Sequence, residues 1–295
     1  MTALAPRVRR RGRRQGPRRV SVLGQLGVLL TMLFIALAVV GPWVGVDPLA
    51  RTGGPLEPPS AEHWFGTDNL GRDLFARTSA GARLSLFVAV CSVLVGLLVA
   101  VPLGLLAGFF GGRWVDDIIM RVMEAIQALP VFVFALFVLG MLGSGPSEIG
   151  PITLSPATKV VLLLALSFLP YFARVTRAAT LVEVQEEYVD ALRVVGVSRW
   201  RIVLVELLPN AMPPVLVQAF LWVGIAIFSE SALSFLGLGI NPPDPSLGNI
   251  LSDATSYLML GAWWFSVIPG LAILLVTIGI NLAGDEVDRL LGRRR

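Results

Sequence analysis

The sequence predicts an all-α polytopic membrane protein with six transmembrane helices and both termini in the cytoplasm. Three observations carry that expectation. Only 15% of the 295 residues are charged and 55% are hydrophobic, whereas a soluble domain carries about a quarter charged residues. Several uncharged runs exceed the ~18 residues that mark a membrane helix. Arginine and lysine are shared unevenly between alternate loops, which is how orientation in a bilayer is written into a chain.

Residues 1–21 form a basic tail, with eight arginines between Arg7 and Arg19. Such an arm can bind nucleic acid or acidic lipid. Directly ahead of an apolar span, it is expected to be a topological anchor held in the cytoplasm, and no nucleic-acid partner is expected. The first transmembrane helix covers residues 22–44. Its apolar core, Val22 to Gly41, is longer than the roughly 7–15 residues of a signal-peptide core. It is expected to remain as an uncleaved span.

An extracytoplasmic loop follows over 45–83. Pro48, Pro55, Pro58 and Pro59 favour extended backbone in its first half. Trp43 and Trp64 suit the aromatic belt at the membrane surface. Asp68 or Asn69 is placed to cap a short helix beginning near Leu70.

A five-helix core is expected over 84–284, with spans at Leu84–Phe110, Ile118–Leu142, Val160–Ala179, Ala211–Ser229 and Leu258–Ala283. Arg174 and Arg177 shorten the apolar part of the third of these. Arg121 and Glu124, at i and i+3, are expected to pair near the inner interface. Glu230 interrupts the fourth. An acid in an apolar segment is a functional candidate, either lining the translocation path or pairing with a neighbour's arginine. The blander reading puts it, solvated, at a helix break. Residues 285–295 close the chain as a cytoplasmic tail.

With the amino terminus inside, the inner segments hold 19 of the 24 basic residues and the outer segments five. The polar stretch 187-EYVDALRVVGVSRWRIVLVELLPN-210 therefore lies in the cytoplasm, within an inner loop spanning 183–209. Val184, Tyr188, Ala191, Leu192 and Val195 recur at helical spacing and form an apolar face. Glu186, Glu187, Asp190 and Arg193 lie opposite. Gly196 suits a left-handed helix end. Ser198 is placed to cap a second short helix ending at Pro209. Lipid headgroups could take such an amphipathic element, and so could a groove on a soluble partner.

Several chemistries are excluded by composition. The chain has one cysteine, Cys91, and one histidine, His63, too few for an internal disulfide or a metal centre of its own. Its one lysine, Lys159, follows Ser-Pro-Ala-Thr rather than a glycine loop. A phosphate-binding loop needs lysine after its glycines, so this chain carries no Walker-type ATP site.

The spacing Asp190-Ala191-Leu192, three residues, Gly196 and later Pro209 resembles the EAA loop of ABC importer permeases, whose pattern is Glu-Ala-Ala, three residues, Gly and a distant Leu-Pro. Further segments look like the C-type permease of the dipeptide/oligopeptide/nickel branch. They are 62-EHWFGTDNLGRDLFAR-77, 120-MRVMEAIQALP-130, 171-YFARVTRAATL-181, 229-SESALSFLGLGINPPDPSLGNILSD-253 and 281-NLAGDEVDRL-290. They occur in family order over about residues 20–290. Asp190 stands where the pattern has Glu, Leu192 where it has a second Ala, and Glu206 where relatives often have His.

The resemblance implies a type I ABC importer permease fold, with five core spans around the pore and the first span packed outside. It implies import of di- or oligopeptides through a path shared with a homologous permease. Two cytoplasmic ABC ATPase subunits would bind ATP and Mg, and an extracytoplasmic substrate-binding protein would deliver cargo. This chain would bind no cofactor, catalyse nothing itself, and sit among lipid as a multi-pass protein of the bacterial inner or plasma membrane. Coupling to the ATPase is implied for Glu187, Asp190, Ala191, Leu192, Gly196, Arg199 and Pro209. Docking of the binding protein is implied for Trp64, Asp68, Arg72 and Asp73, and the translocation path for Glu230. Nickel, glutathione and haem are the other cargoes of that reading. Outside it stand a secondary transporter or channel and a membrane scaffold. A secondary transporter predicts inverted repeats and midplane charges; no clear repeat is seen and midplane charges are few.

Overall fold

A computed structural model describes residues 21–143, 145–149 and 152–291. The arginine-rich tail and the closing Arg293–Arg295 lie outside the described residues, and with them the expected anchoring role. Among the described residues, five helices are long and apolar enough to cross a membrane, or six if one bent pair counts as a single span.

The first helix, α1 (Val22–Val44), is capped by Ser21, whose Oγ accepts from the Gly24 N–H at 3.0 Å. The second, α2 (Leu74–Phe109), starts well ahead of the expected Leu84. Charge alone misplaced that boundary. Arg77 is buried inside the helix and neutralised by Asp68, so it does not mark solvent. The cap of α2 is Asp73, accepting from Ala76 N–H at 2.8 Å. The short helix expected near Leu70 does not form.

The expected span Ile118–Leu142 is broken into α3 (Trp114–Gln127) and α4 (Val131–Leu142), bent by 80°. Pro130 sits at the break. It has no N–H to give and disfavours helical backbone in the residue before it. Arg121 and Glu124 form no ion pair; the nearby pair is Arg177 to Asp116, at 2.5 Å. Beyond α4, strands β1 (Ser147–Ile149) and β2 (Ile152–Leu154) pair antiparallel, Ser147 opposite Leu154.

Lys159 lies near the start of α5 (Pro156–Val184) and is buried. Its Nζ donates to the carbonyls of Leu142, Gly143 and Gly145 at 3.2, 2.8 and 2.6 Å, and to Ser147 Oγ at 2.6 Å. A cation there meets the negative end of the α4 dipole and ties α4, the hairpin and α5 together.

Helix α6 (Glu187–Val194) leads through Gly196 into α7 (Arg199–Arg201). A π-helical stretch, Ile202–Leu207, then joins α8 (Leu208–Phe235) without a gap. Pro209 therefore does not end a helix. Wide-turn bonding, with Leu208 N–H reaching back to the Val203 carbonyl, carries the chain into the first turn of α8, where proline is tolerated. Helix α8 also runs through Glu230, which the sequence reading placed at a break. The short α9 (Leu247–Ala254) and a 3₁₀ stretch, Thr255–Leu260, precede α10 (Trp263–Leu291). The start expected at Leu258 belongs to that 3₁₀ stretch, and much of the expected carboxyl tail is the last turns of α10.

Helices α2 and α5 pack side by side along most of their length. Gly104 and Gly108 permit this: a Cβ on either would lie 2.5 Å from Thr176 Cβ or Thr180 Cβ. Small residues let membrane helices approach closely enough for dispersion to hold them. Helix α8 completes the main core with Trp222, whose ring lies 4.7 Å from Phe168 and 4.5 Å from Tyr171. The first helix packs on α10 and α2 at the edge of this group, leaving one long side exposed.

Candidate functional site

The element around Gly196 has a core of its own. Val189 on α6 is fully buried and packs with Leu105 of α2, Ala179 of α5, and Ile202, Val203 and Leu207 of the π stretch. Tyr188, Leu192 and Val197 close the cluster. Tyr188 Oη donates to Glu183 Oε2 at 3.2 Å and accepts from Asn210 Nδ2 at 3.2 Å, joining α5, α6 and α8. Burial is the largest cause raising the Tyr188 phenol above its ordinary pKa, so it stays a neutral hydroxyl.

The chain turns sharply at Gly196, whose φ is +85°. The Val197 N–H reaches back to the Leu192 carbonyl at 3.0 Å and the Gly196 N–H to Arg193 at 3.1 Å. These bonds satisfy the carbonyls that a helix end leaves free. Ser198 has the backbone of a cap but its side chain makes no capping bond.

The inward face differs from the expected one. Val189, Tyr188 and Leu192 point in; Ala191 and Val195 point out. Leu192 thus adds bulk to the inner core and not to the outer surface. Outside lie Glu187, Asp190, Arg193 and Arg199, together with Val194 and Val195 at 88% and 80% exposure and Trp200 beyond the turn. Asp190 pairs with Arg193 at 2.9 Å in the open, a contact of little energetic weight. Pro209 is exposed one helix further on. The arrangement is a knuckle seated on four helical elements, presenting two acids and bare valines on its exposed face.

On the opposite side, the loop before α2 is knotted around charge. Asp68 Oδ1 accepts from Leu70 N–H at 2.7 Å and Arg72 N–H at 3.0 Å; its Oδ2 accepts from Arg72 Nε and Arg77 Nη1, both at 2.6 Å. Arg77 Nη2 lies 3.7 Å from Asp253 of α9. Asp73 holds His63 Nδ1 at 2.8 Å as well as capping α2. Of the four residues expected to meet a binding protein, only Trp64 is largely open, at 59% exposure. Asp68 and Asp73 are buried and Arg72 is half-buried. They build the loop, while Trp64 stands on it against Phe75.

Glu230 is fully buried, with no solvent contact. Its carboxylate oxygens accept from Ser85 Oγ of α2 at 2.5 Å and from Ser234 Oγ at 2.8 Å, with Ser231 Oγ at 3.4 Å. Ser234 Oγ also accepts from the Ile240 N–H at 3.0 Å, where the chain turns toward α9. The structure therefore places Glu230 at a junction of elements, sealed from solvent and bonded to hydroxyls, in place of the solvated break. Ser85 and Ser234 escaped sequence reasoning because hydroxyls within apolar runs leave no periodic signal.

Apolar spanning helices, a compact turn at Gly196 and a folded loop ahead of α2 make a polytopic membrane protein. The chain belongs to the family described as binding-protein-dependent transport system inner membrane component, whose profile matches residues 100–295. It is 41% identical over 271 residues to the di/tripeptide transport system permease protein DppC of Pseudomonas aeruginosa, covering 89% of this chain and 85% of that protein. It is 37% identical to the dipeptide permease DppC of Alkalihalophilus pseudofirmus, covering 89% and 83%. The glutathione transport system permease GsiD of Pectobacterium atrosepticum is 38% identical, covering 78% and 72%. Among solved structures, the MetNI methionine ABC transporter in an inward-facing form matches with a TM-score of 0.54 at 21% identity, covering 72% of this chain and 95% of that one. That likeness places the fold among ABC importer permeases. The protein is a multi-pass inner-membrane permease subunit of an ABC importer, a class that works with ATPase and substrate-binding partners.

Proposed function

We propose that this chain carries di- or oligopeptides across the membrane as half of a permease pair, driven by two separate ATPase subunits and supplied by an extracytoplasmic binding protein. The names of the relatives support peptide cargo; glutathione, itself a tripeptide, is the cargo named for another. ATP and Mg belong to the partner subunits, and this chain contributes no catalytic group and binds no cofactor.

One observation carries the coupling assignment: the knuckle at Gly196, with Val189 buried beneath it and Val194 and Val195 bare above it. An apolar, convex helix end suits a groove on a soluble subunit. Asp190 and Glu187 add charge for register. Because Val189, Ile202 and Leu207 share one core with α2 and α5, a push on α6 moves the spanning helices as packed bodies. Trp64 is the remaining candidate for contact with the binding protein.

Uptake of a labelled dipeptide into proteoliposomes holding the whole complex tests this reading. Uptake should require ATP inside and binding protein outside. Transport by this chain without an ATPase would overturn it.

A further inference from the structure

Three arginines from separate segments converge beside the knuckle. Arg113 follows the turn after α2, Arg193 ends α6, and Arg199 opens α7. Together with Phe109 and Phe110 they line a cleft of about 450 Å³ that has no acidic residue in its wall. Arg193 shares its charge with exposed Asp190. Arg113 and Arg199 have no carboxylate partner among the described residues.

A second, narrower cleft of about 180 Å³ adjoins the first and shares Phe109, Phe110 and Arg199 with it. Its other walls are Leu106, Trp200 and Val203. Leu106 lies one turn back along α2, toward the membrane interior, and Val203 one turn beyond Arg199 on the chain's way back into the bilayer. The wall thus passes from three guanidinium groups to aromatic and aliphatic side chains.

We propose that the paired clefts bind one acidic glycerophospholipid of the cytoplasmic leaflet, its phosphodiester among Arg113, Arg193 and Arg199 and the start of an acyl chain against Leu106, Phe110 and Val203. Guanidinium forks match phosphate oxygens geometrically. Basic recesses between helices at the cytoplasmic face suit such headgroups. A soluble anion would use the arginine half and leave the apolar half idle; a neutral lipid would do the reverse. An anionic lipid satisfies both.

The test is native mass spectrometry of the full chain, purified in mild detergent with its co-purifying subunits, and titrated with phosphatidylglycerol or phosphatidylcholine. Phosphatidylglycerol should be retained over phosphatidylcholine. Arg113→Gln should weaken that retention about fivefold, the weight of one arginine near an anionic surface; Arg113→Lys should restore part of it. Arg113 is exposed and lies outside the coupling stretch, so these variants leave the fold and the knuckle intact. Millimolar inorganic phosphate or glycerophosphoglycerol should fail to displace the lipid. Equal retention of both lipids, or indifference to Arg113→Gln, overturns the site. Displacement by inorganic phosphate makes it a free-anion site and overturns the lipid assignment. So does loss of the lipid when the ATPase binds, which would mean that an acidic side chain of that subunit fills the cleft.

Discussion

At the scale of single residues, the buried acids divide into two kinds. Asp68 accepts from four donors, two of them arginine side chains, and one of those arginines, Arg77, is itself 2% exposed. Asp68→Asn should cost about 3–5 kcal/mol, because removing one partner strands the other buried charge. The expected readout is lost thermal stability and poor insertion, with no selective loss of binding-protein affinity. Trp64→Ala should do the opposite and leave melting unchanged while weakening that affinity. Glu230 is held by hydroxyls alone. Glu230→Gln keeps an acceptor oxygen and should preserve most stability. Glu230→Ala leaves Ser85 and Ser234 without their acceptor and should cost about 1–3 kcal/mol, measured as a lower midpoint in a detergent melt. Full peptide transport by Glu230→Gln would remove Glu230 from the translocation path.

At the scale of elements, the turn between α6 and α7 and the staple at the outer end of α4 are the informative places. Gly196→Val puts a β-branched side chain at φ +85°, a strained position costing about 1–2 kcal/mol or more. The membrane helices should still insert, but peptide-stimulated ATPase activity of the assembled complex should fall, since the knuckle would no longer hold its angle. Lys159→Met removes the donor that serves four oxygens from α4 to the hairpin. It should raise the rate of proteolysis within 143–155 while leaving cleavage in the cytoplasmic loop unchanged. Element boundaries were legible where a turn residue or cap announced them, as at Gly196. They are hidden where a charge is buried and paired, as at Arg77, or where proline breaks a span in its middle, as at Pro130.

For the whole molecule, α2, α5 and α8 form one packed body that touches both the knuckle and the outer loop. A displacement at α6 is therefore expected to reach the far side through these packed helices. Deleting 187–209 should abolish co-purification of the ATPase. Survival of that co-purification would assign the contact to another surface and sink the coupling role.

The sequence by itself determined the class of protein, its apolar spans and the turn at Gly196. Each follows from local properties: apolar run length and one glycine at a helix end. Tertiary structure alone decided which face of α6 is buried, that Glu230 sits sealed among serines, and that Arg113 and Arg199 line one cleft with Phe109 and Phe110. These depend on partners distant in the chain: Glu230 finds Ser85 across 145 positions and Asp116 finds Arg177 across 61. No periodicity or composition encodes such a meeting, because it is fixed only when the helices pack and desolvation forces each buried polar group to find its complement.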